Sequence, residues 1–155
     1  MRCPHCSVTM DANATTALPP VHGEHGALKL SVEGLPARQC PKGHAAPVDE
    51  DFMFWMIQEL KERAAAIPGG EEKGMIIKKH LCGCGKELAA KPERRQGYPQ
   101  NLSYEGKFRF KAVFDVALHK CIGCGKEQPR SAKELQRDIA HAMADVTDAA
   151  GFPHG

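Results

Sequence analysis

The chain has 155 residues, with 21 lysines and arginines against 19 aspartates and glutamates, and is 42% hydrophobic and 26% charged. This composition belongs to one compact domain or two small ones, and excludes a disordered polyelectrolyte. No run approaches the ~18 apolar residues of a membrane span, near-neutral charge excludes coating of nucleic acid by bulk charge, and the opening Met1-Arg2-Cys3-Pro4-His5-Cys6 lacks the features of a signal peptide, so a cytoplasmic protein is expected.

The cysteines organise the chain. They stand at Cys3, Cys6, Cys40, Cys82, Cys84, Cys121 and Cys124, six of them in three close pairs. An odd number in pairs, with no secretory start, suits reduced thiols holding metal better than a disulfide framework. Two tetrahedral zinc sites need eight donors, so one histidine must join the seven thiols. His44 is best placed, with His22 and His25 as alternatives. The expected sets are Cys3, Cys6, Cys40 and His44, then Cys82, Cys84, Cys121 and Cys124, holding two Zn2+ per chain.

Residues 1–48 read as a first zinc ribbon. Cys3-Pro4-His5-Cys6 and Cys40-Pro41-Lys42-Gly43-His44 form its two knuckles, and residues 15–26 read as a loop. Leu28, Leu30 and Val32 alternate with polar residues, which predicts a half-exposed strand ended by Gly34. Residues 49–68 predict a helix, capped by Asp49 or Asp51 and stopped by Pro68-Gly69-Gly70. Its segment 52–57 is apolar almost all round, so it either packs against both halves of its own chain or meets a protein partner or a second copy, with Phe54 and Trp55 as contacts.

Residues 69–74 read as a linker, and residues 75–128 as a second zinc ribbon. Gly83-Cys84-Gly85-Lys86-Glu87 recurs as Gly123-Cys124-Gly125-Lys126-Glu127, two copies of one knuckle that can face each other across an ion. Cys82 stands one residue closer to its partner than the usual gap. Between the knuckles, Phe108, Phe110, Ala112, Phe114, Val116 and Leu118 alternate with more polar residues, the clearest strand in the chain. Pro129 and the capping box Ser131-x-x-Glu134 open a helix over residues 129–146, with a frayed tail at 147–155.

Both expected sites are closed by four protein ligands, the mark of structural zinc rather than catalytic zinc. His22-Gly23-Glu24 has the H-x-E form of zinc deaminases, but Lys120 stands where that signature needs proline before Cys121. No nucleophile or phosphate-loop motif appears, so no enzyme is expected. Residues 71–146 carry fifteen cations against ten anions, and Lys107, Arg109 and Lys111 share one strand face. That stripe makes nucleic-acid binding the alternative to a protein-interaction or adaptor role.

Residues 1–65 resemble the YgiT-type zinc finger, the N-terminal metal-binding module of MqsA-type antitoxins. The resemblance rests on Met1-Arg2-Cys3-Pro4-His5-Cys6, on Val32-Glu33-Gly34-Leu35-Pro36-Ala37, on Cys40 and on the acidic helix start. It implies a structural zinc and a surface that engages a partner protein. The family's last cysteine is replaced here by Gly43-His44 and no helix-turn-helix follows, so the antitoxin role does not carry over. The second half resembles zinc ribbons only generically. The expected fold is α+β, two zinc-ribbon modules with short antiparallel sheets, each followed by a helix, and removal of either ion should unfold its half.

Overall fold

A computed structural model describes residues 2–11, 14–74 and 76–153. The fold is α+β, with antiparallel strand pairs and two helices. The order is β1 (Thr15–Ala17), β2 (Val21–His25), β3 (Leu28–Glu33), β4 (Pro36–Gln39), β5 (Ala45–Ala46), α1 (Phe52–Ala65), β6 (Glu71–Lys73), β7 (Lys79–Leu81), β8 (Arg94–Tyr104), β9 (Phe108–Lys120), β10 (Glu127–Gln128) and α2 (Ala132–Ala149).

The central sheet runs β2-β3-β9-β8, with β10 joined to the far end of β9. Its decisive pairing is β3 with β9, Leu30 opposite Phe114 and Leu28 opposite Val116. One strand comes from the first half of the chain and the other from the second. Their alternating apolar residues therefore point into one shared core, where Leu28, Leu30, Val32, Phe110, Ala112, Phe114 and Val116 are buried.

Both helices supply buried residues to that core. α1 buries Phe52, Met56, Leu60 and Ala64, a single stripe at four-residue spacing, and α2 buries Leu135, Ile139, Ala142, Met143 and Val146. Each of these side chains larger than alanine contributes roughly 1.5–3 kcal/mol by leaving water. α2 lies so close to β2 that a Cβ on Gly23 would sit 2.2 Å from the Ala142 carbonyl oxygen, so only glycine permits the approach.

Several expectations change on folding. Residues 15–26 are not a loop: they hold β1, which pairs with β4, and β2, which pairs with β3. The stretch is polar because both strands lie at sheet edges. Residues 71–73 of the expected linker form β6, paired with β7, and Glu72 receives Lys78 and Arg137 at 3.0 and 3.2 Å. α2 runs past Val146 to Ala149, and Phe152 beyond it is buried. Residues 75–81 read in the sequence as a short strand leading into Cys82; the strand observed there is Lys79–Leu81, and Met75 lies outside the described residues. β8 carries no apolar alternation before Leu102, because Gly97 and Pro99 occupy an edge strand where a missing amide costs little.

Candidate metal centres

Two lobes flank the main core, each with its own small apolar cluster. Cys3, Met10, Cys40 and Ala46 bury together in one, and Cys82, Leu88 and Cys121 in the other. Each lobe is made of two backbone turns that bring donor atoms together.

The turns come in two kinds. In the wide turn, the amide of Cys3 donates to the Val8 carbonyl at 2.8 Å and that of Ser7 to the Cys3 carbonyl at 2.8 Å. The same pattern recurs where Cys121 donates to Lys126 at 2.9 Å and Gly125 to Cys121 at 3.1 Å. In the tight turn, one residue shorter, Cys40 donates to His44 at 3.0 Å and Gly43 to Cys40 at 2.8 Å. Cys82 repeats it, donating to Lys86 at 2.8 Å while Gly85 donates to Cys82 at 2.9 Å. Each lobe pairs one wide turn with one tight turn, in opposite chain order. All four turns pass through a positive φ, at Ser7 (61°), Gly43 (86°), Gly85 (91°) and Gly125 (80°). The short spacing at Cys82-Gly83-Cys84 thus belongs to a tight turn. Where that turn is used at Cys40, the longer imidazole of His44 serves as the second donor.

In the first lobe the donors Cys3, Cys6, Cys40 and His44 lie within 4.8 Å of one another, as do Cys82, Cys84, Cys121 and Cys124 in the second. Bond lengths to zinc of ~2.3 Å for sulfur and ~2.0–2.1 Å for imidazole nitrogen require tetrahedral edges of about 3.8 Å between sulfurs and about 3.6 Å from sulfur to nitrogen. The observed edges are 3.8 Å for Cys6–Cys40, 3.7 and 3.4 Å from Cys3 and Cys40 to His44 Nδ1, and 3.7 and 3.4 Å for Cys82–Cys124 and Cys84–Cys121. A disulfide would need ~2.05 Å, and the cysteines are free. Each set of four donors could hold one metal ion.

Burial and hydrogen bonding tune the thiols. Burial pushes the Cys40 thiol up, but contacts with the His44 and Lys42 backbone and with the Cys3 and Cys6 thiols bring it down to about 6. The Cys84 backbone and the Gln128 amide, donating to Cys82 Sγ at 3.2 Å, lower Cys82 to about 6 against the effect of burial. The Lys86 backbone favours the Cys84 thiolate, yet the Cys121, Cys82 and Cys124 thiols together with burial push it up to about 11. Crowded thiolates thus oppose one another, and a shared cation relieves that conflict.

The structure brings His44 to the first centre and leaves His22 and His25 out of it. His22 lines an open hollow of about 530 Å³ with Glu24, Lys29, Ser31 and Asp115, while His25 stacks on His141 at 4.2 Å. His22-Gly23-Glu24 therefore joins neither centre. His5 leans on the His44 ring at 5.1 Å and donates through Nε2 to the Gly151 carbonyl at 3.1 Å, tying the first centre to the end of α2. Beside the second centre, His119 is buried and its Nδ1–H donates to the Ala89 carbonyl at 2.8 Å; burial lowers its pKa. His80 lies 3.7 Å from Glu134. Gln128 escaped sequence reasoning, since only the pairing of β10 with β9 sets its amide against Cys82.

Phe54 is 70% exposed on α1, whereas Trp55 packs against the Tyr104 and Phe110 rings at 4.8 and 6.2 Å. Arg109 and Lys111 are exposed on β9, and Lys107 lies in the turn before it, lining a hollow with Asp49 and Glu105. Lys111 stands in register with Glu33, and Asp115, four residues on, with Lys29, so this face carries both signs. Among the described residues, no helix is long and apolar enough to cross a membrane. No protein-family model, curated protein or solved structure matches the chain.

Proposed function

We propose that the protein is a non-catalytic zinc-binding adaptor, in which two structural zinc ions hold surfaces that engage a protein partner or a second copy. The observation that carries this is the pair of four-donor clusters whose edges suit tetrahedral zinc and leave no coordination position for water. On this reading each centre is a zinc ribbon associated with a helix, the first being a YgiT-type finger. Support for that resemblance is the meeting of Cys3, Cys6 and Cys40 with His44, followed by α1. Cysteines used as ligands fit the reducing cytoplasm.

The exposed Phe54 supports contact through α1. The mixed charges around Lys111 give less support to nucleic-acid binding through Lys107, Arg109 and Lys111. Native mass spectrometry tests the metal reading, with two zinc ions per chain expected and Cys40→Ser or Cys121→Ser each losing one. A chain without zinc would overturn it. Phe54→Glu should abolish self-association in sedimentation, or capture of a purified partner, with both ions retained; unchanged association would remove α1 as the contact surface.

A further inference from the structure

The two centres differ in what stands between their sulfurs and solvent. In the first, Cys3 and Cys40 are buried, Cys6 and His44 half-buried, and His5 leans on the His44 ring. In the second, Cys82 and Cys121 are buried but Cys84 and Cys124 are both exposed, and so are Gly83, Gly85, Ile122, Gly123 and Gly125 around them. A Cβ built on Gly83 or Gly85 would meet nothing within 4 Å, so the tight turn that carries Cys84 is open on that side, whereas Gly123 on the wide turn lies against the Lys86 side chain.

Resting on the metal reading above, we propose that the second centre is an oxidation site, at which a peroxide converts Cys84 and Cys121 to a disulfide and discharges the metal ion. Three observations support it. Cys84 is exposed, and the Cys121 sulfur lies 3.4 Å from its own on the opposite turn. The Lys86 side chain runs against Gly123, where a Cβ would meet its Cγ at 2.5 Å, so the two turns that carry the pair lie against each other. The other cross-turn pair, Cys82 and Cys124, is less suited, because its sulfurs stand 3.7 Å apart and the Gln128 side chain donates to Cys82 Sγ. Cysteines that hold a metal do so as thiolates in both centres, so exposure decides which is oxidised first and the two centres should part company here.

The step balances. The Cys84 thiolate attacks one oxygen of hydrogen peroxide; a sulfur–oxygen bond forms, the oxygen–oxygen bond breaks and hydroxide leaves. The Cys121 thiolate then attacks that sulfur; the disulfide forms, the sulfur–oxygen bond breaks and a second hydroxide leaves. Two protons from solvent complete two waters. The cysteine pair gives up two electrons and the peroxide takes them. Cys82 and Cys124 alone cannot close four-fold coordination, so the ion departs.

The test begins with the zinc content of the wild-type protein, measured before any oxidant is added. Two ions per chain establish the premise, whereas none would remove the premise and this proposal together. Hydrogen peroxide is then titrated in with a metallochromic dye, followed by peptide mass spectrometry under non-reducing conditions. The expected result is release of one ion per chain with a Cys84–Cys121 disulfide, the second ion leaving at least about tenfold more slowly, as exposure dictates. A parallel limited reaction with N-ethylmaleimide should label Cys84 and Cys124 before Cys3, Cys6 and Cys40. Simultaneous loss of both ions, a disulfide within the first centre, a Cys82–Cys124 bond, or two ions retained under excess peroxide would each overturn the proposal.

Discussion

Gly43 closes the tight turn at the first centre with φ of 86° and open space where a Cβ would point. Any loss on Gly43→Ala is therefore backbone strain alone, about 1–2 kcal/mol for a left-handed residue with a side chain. It should appear as weaker metal retention at the first centre in a competition titration, with the second unchanged. Tyr104 offers a separate reading of the core. Its hydroxyl donates to Asp49 at 2.9 Å, and burial, then the Asp49 carboxylate, raise it to about 12. The neutral phenol is favoured in the folded state, so this stability is present below the ordinary pKa of 10 and lost as pH rises through about 12. Ultraviolet titration should show one tyrosine ionising only near that pH or on unfolding. Asp49→Asn, which removes the charge, should bring the transition down.

At the scale of elements, Asp49 does more than its place outside α1 suggests. Its Oδ1 accepts the Asp51 and Phe52 amides at 3.0 and 2.9 Å, while Asp51 makes no capping bond with its side chain. Either aspartate could have been the cap on sequence grounds; only the position of β8, which carries Tyr104, favours the one that serves both. Asp49→Ala should cost about 2 kcal/mol or more, from a lost cap and a buried hydroxyl without its partner, and Asp51→Ala within about 0.5 kcal/mol; urea melts decide. Trp55 and Phe54 separate in the same way. Trp55→Glu would lose ring contacts with Tyr104 and Phe110 and should destabilise by roughly 2–4 kcal/mol, whereas Phe54→Glu should leave the melting curve nearly unchanged. Strands with apolar alternation, β3 and β9, were legible in the sequence. β1, β2 and β8 were not, because edge strands need little apolar alternation.

Across the whole molecule, the pairing of β3 with β9 changes what metal removal should do. Two independent modules would each unfold with loss of their ion. Here the main apolar core draws on both halves and contains none of the ligand cysteines, which bury in two small clusters of their own. Chelation should therefore open the four turns and the short strands around them while the central sheet persists at reduced stability. Hydrogen exchange checks this: amides of Cys40, Cys82, Cys121 and their turn partners should lose protection, while β3 and the middle of β9 keep it. Global loss of protection on chelation would show that the lobes hold the core together.

The sequence by itself determined the chemistry of the donors and the local shape that presents them. Cysteine spacing and glycines that accept positive φ are properties of a few adjacent residues, so the knuckles at Cys40, Cys82 and Cys121 could be read without any knowledge of the fold. Ligand partnership was less legible: spacing favoured His44 but left His22 and His25 open, and only assembly set the His44 ring beside Cys3 and Cys40. Tertiary structure alone decided the union of the two halves, the amide that Gln128 offers to Cys82, and the exposure of Cys84 and Cys124. The reason is one of range: backbone angles and ligand type act over a few residues, whereas strand register and solvent access depend on segments brought together only when the core is buried.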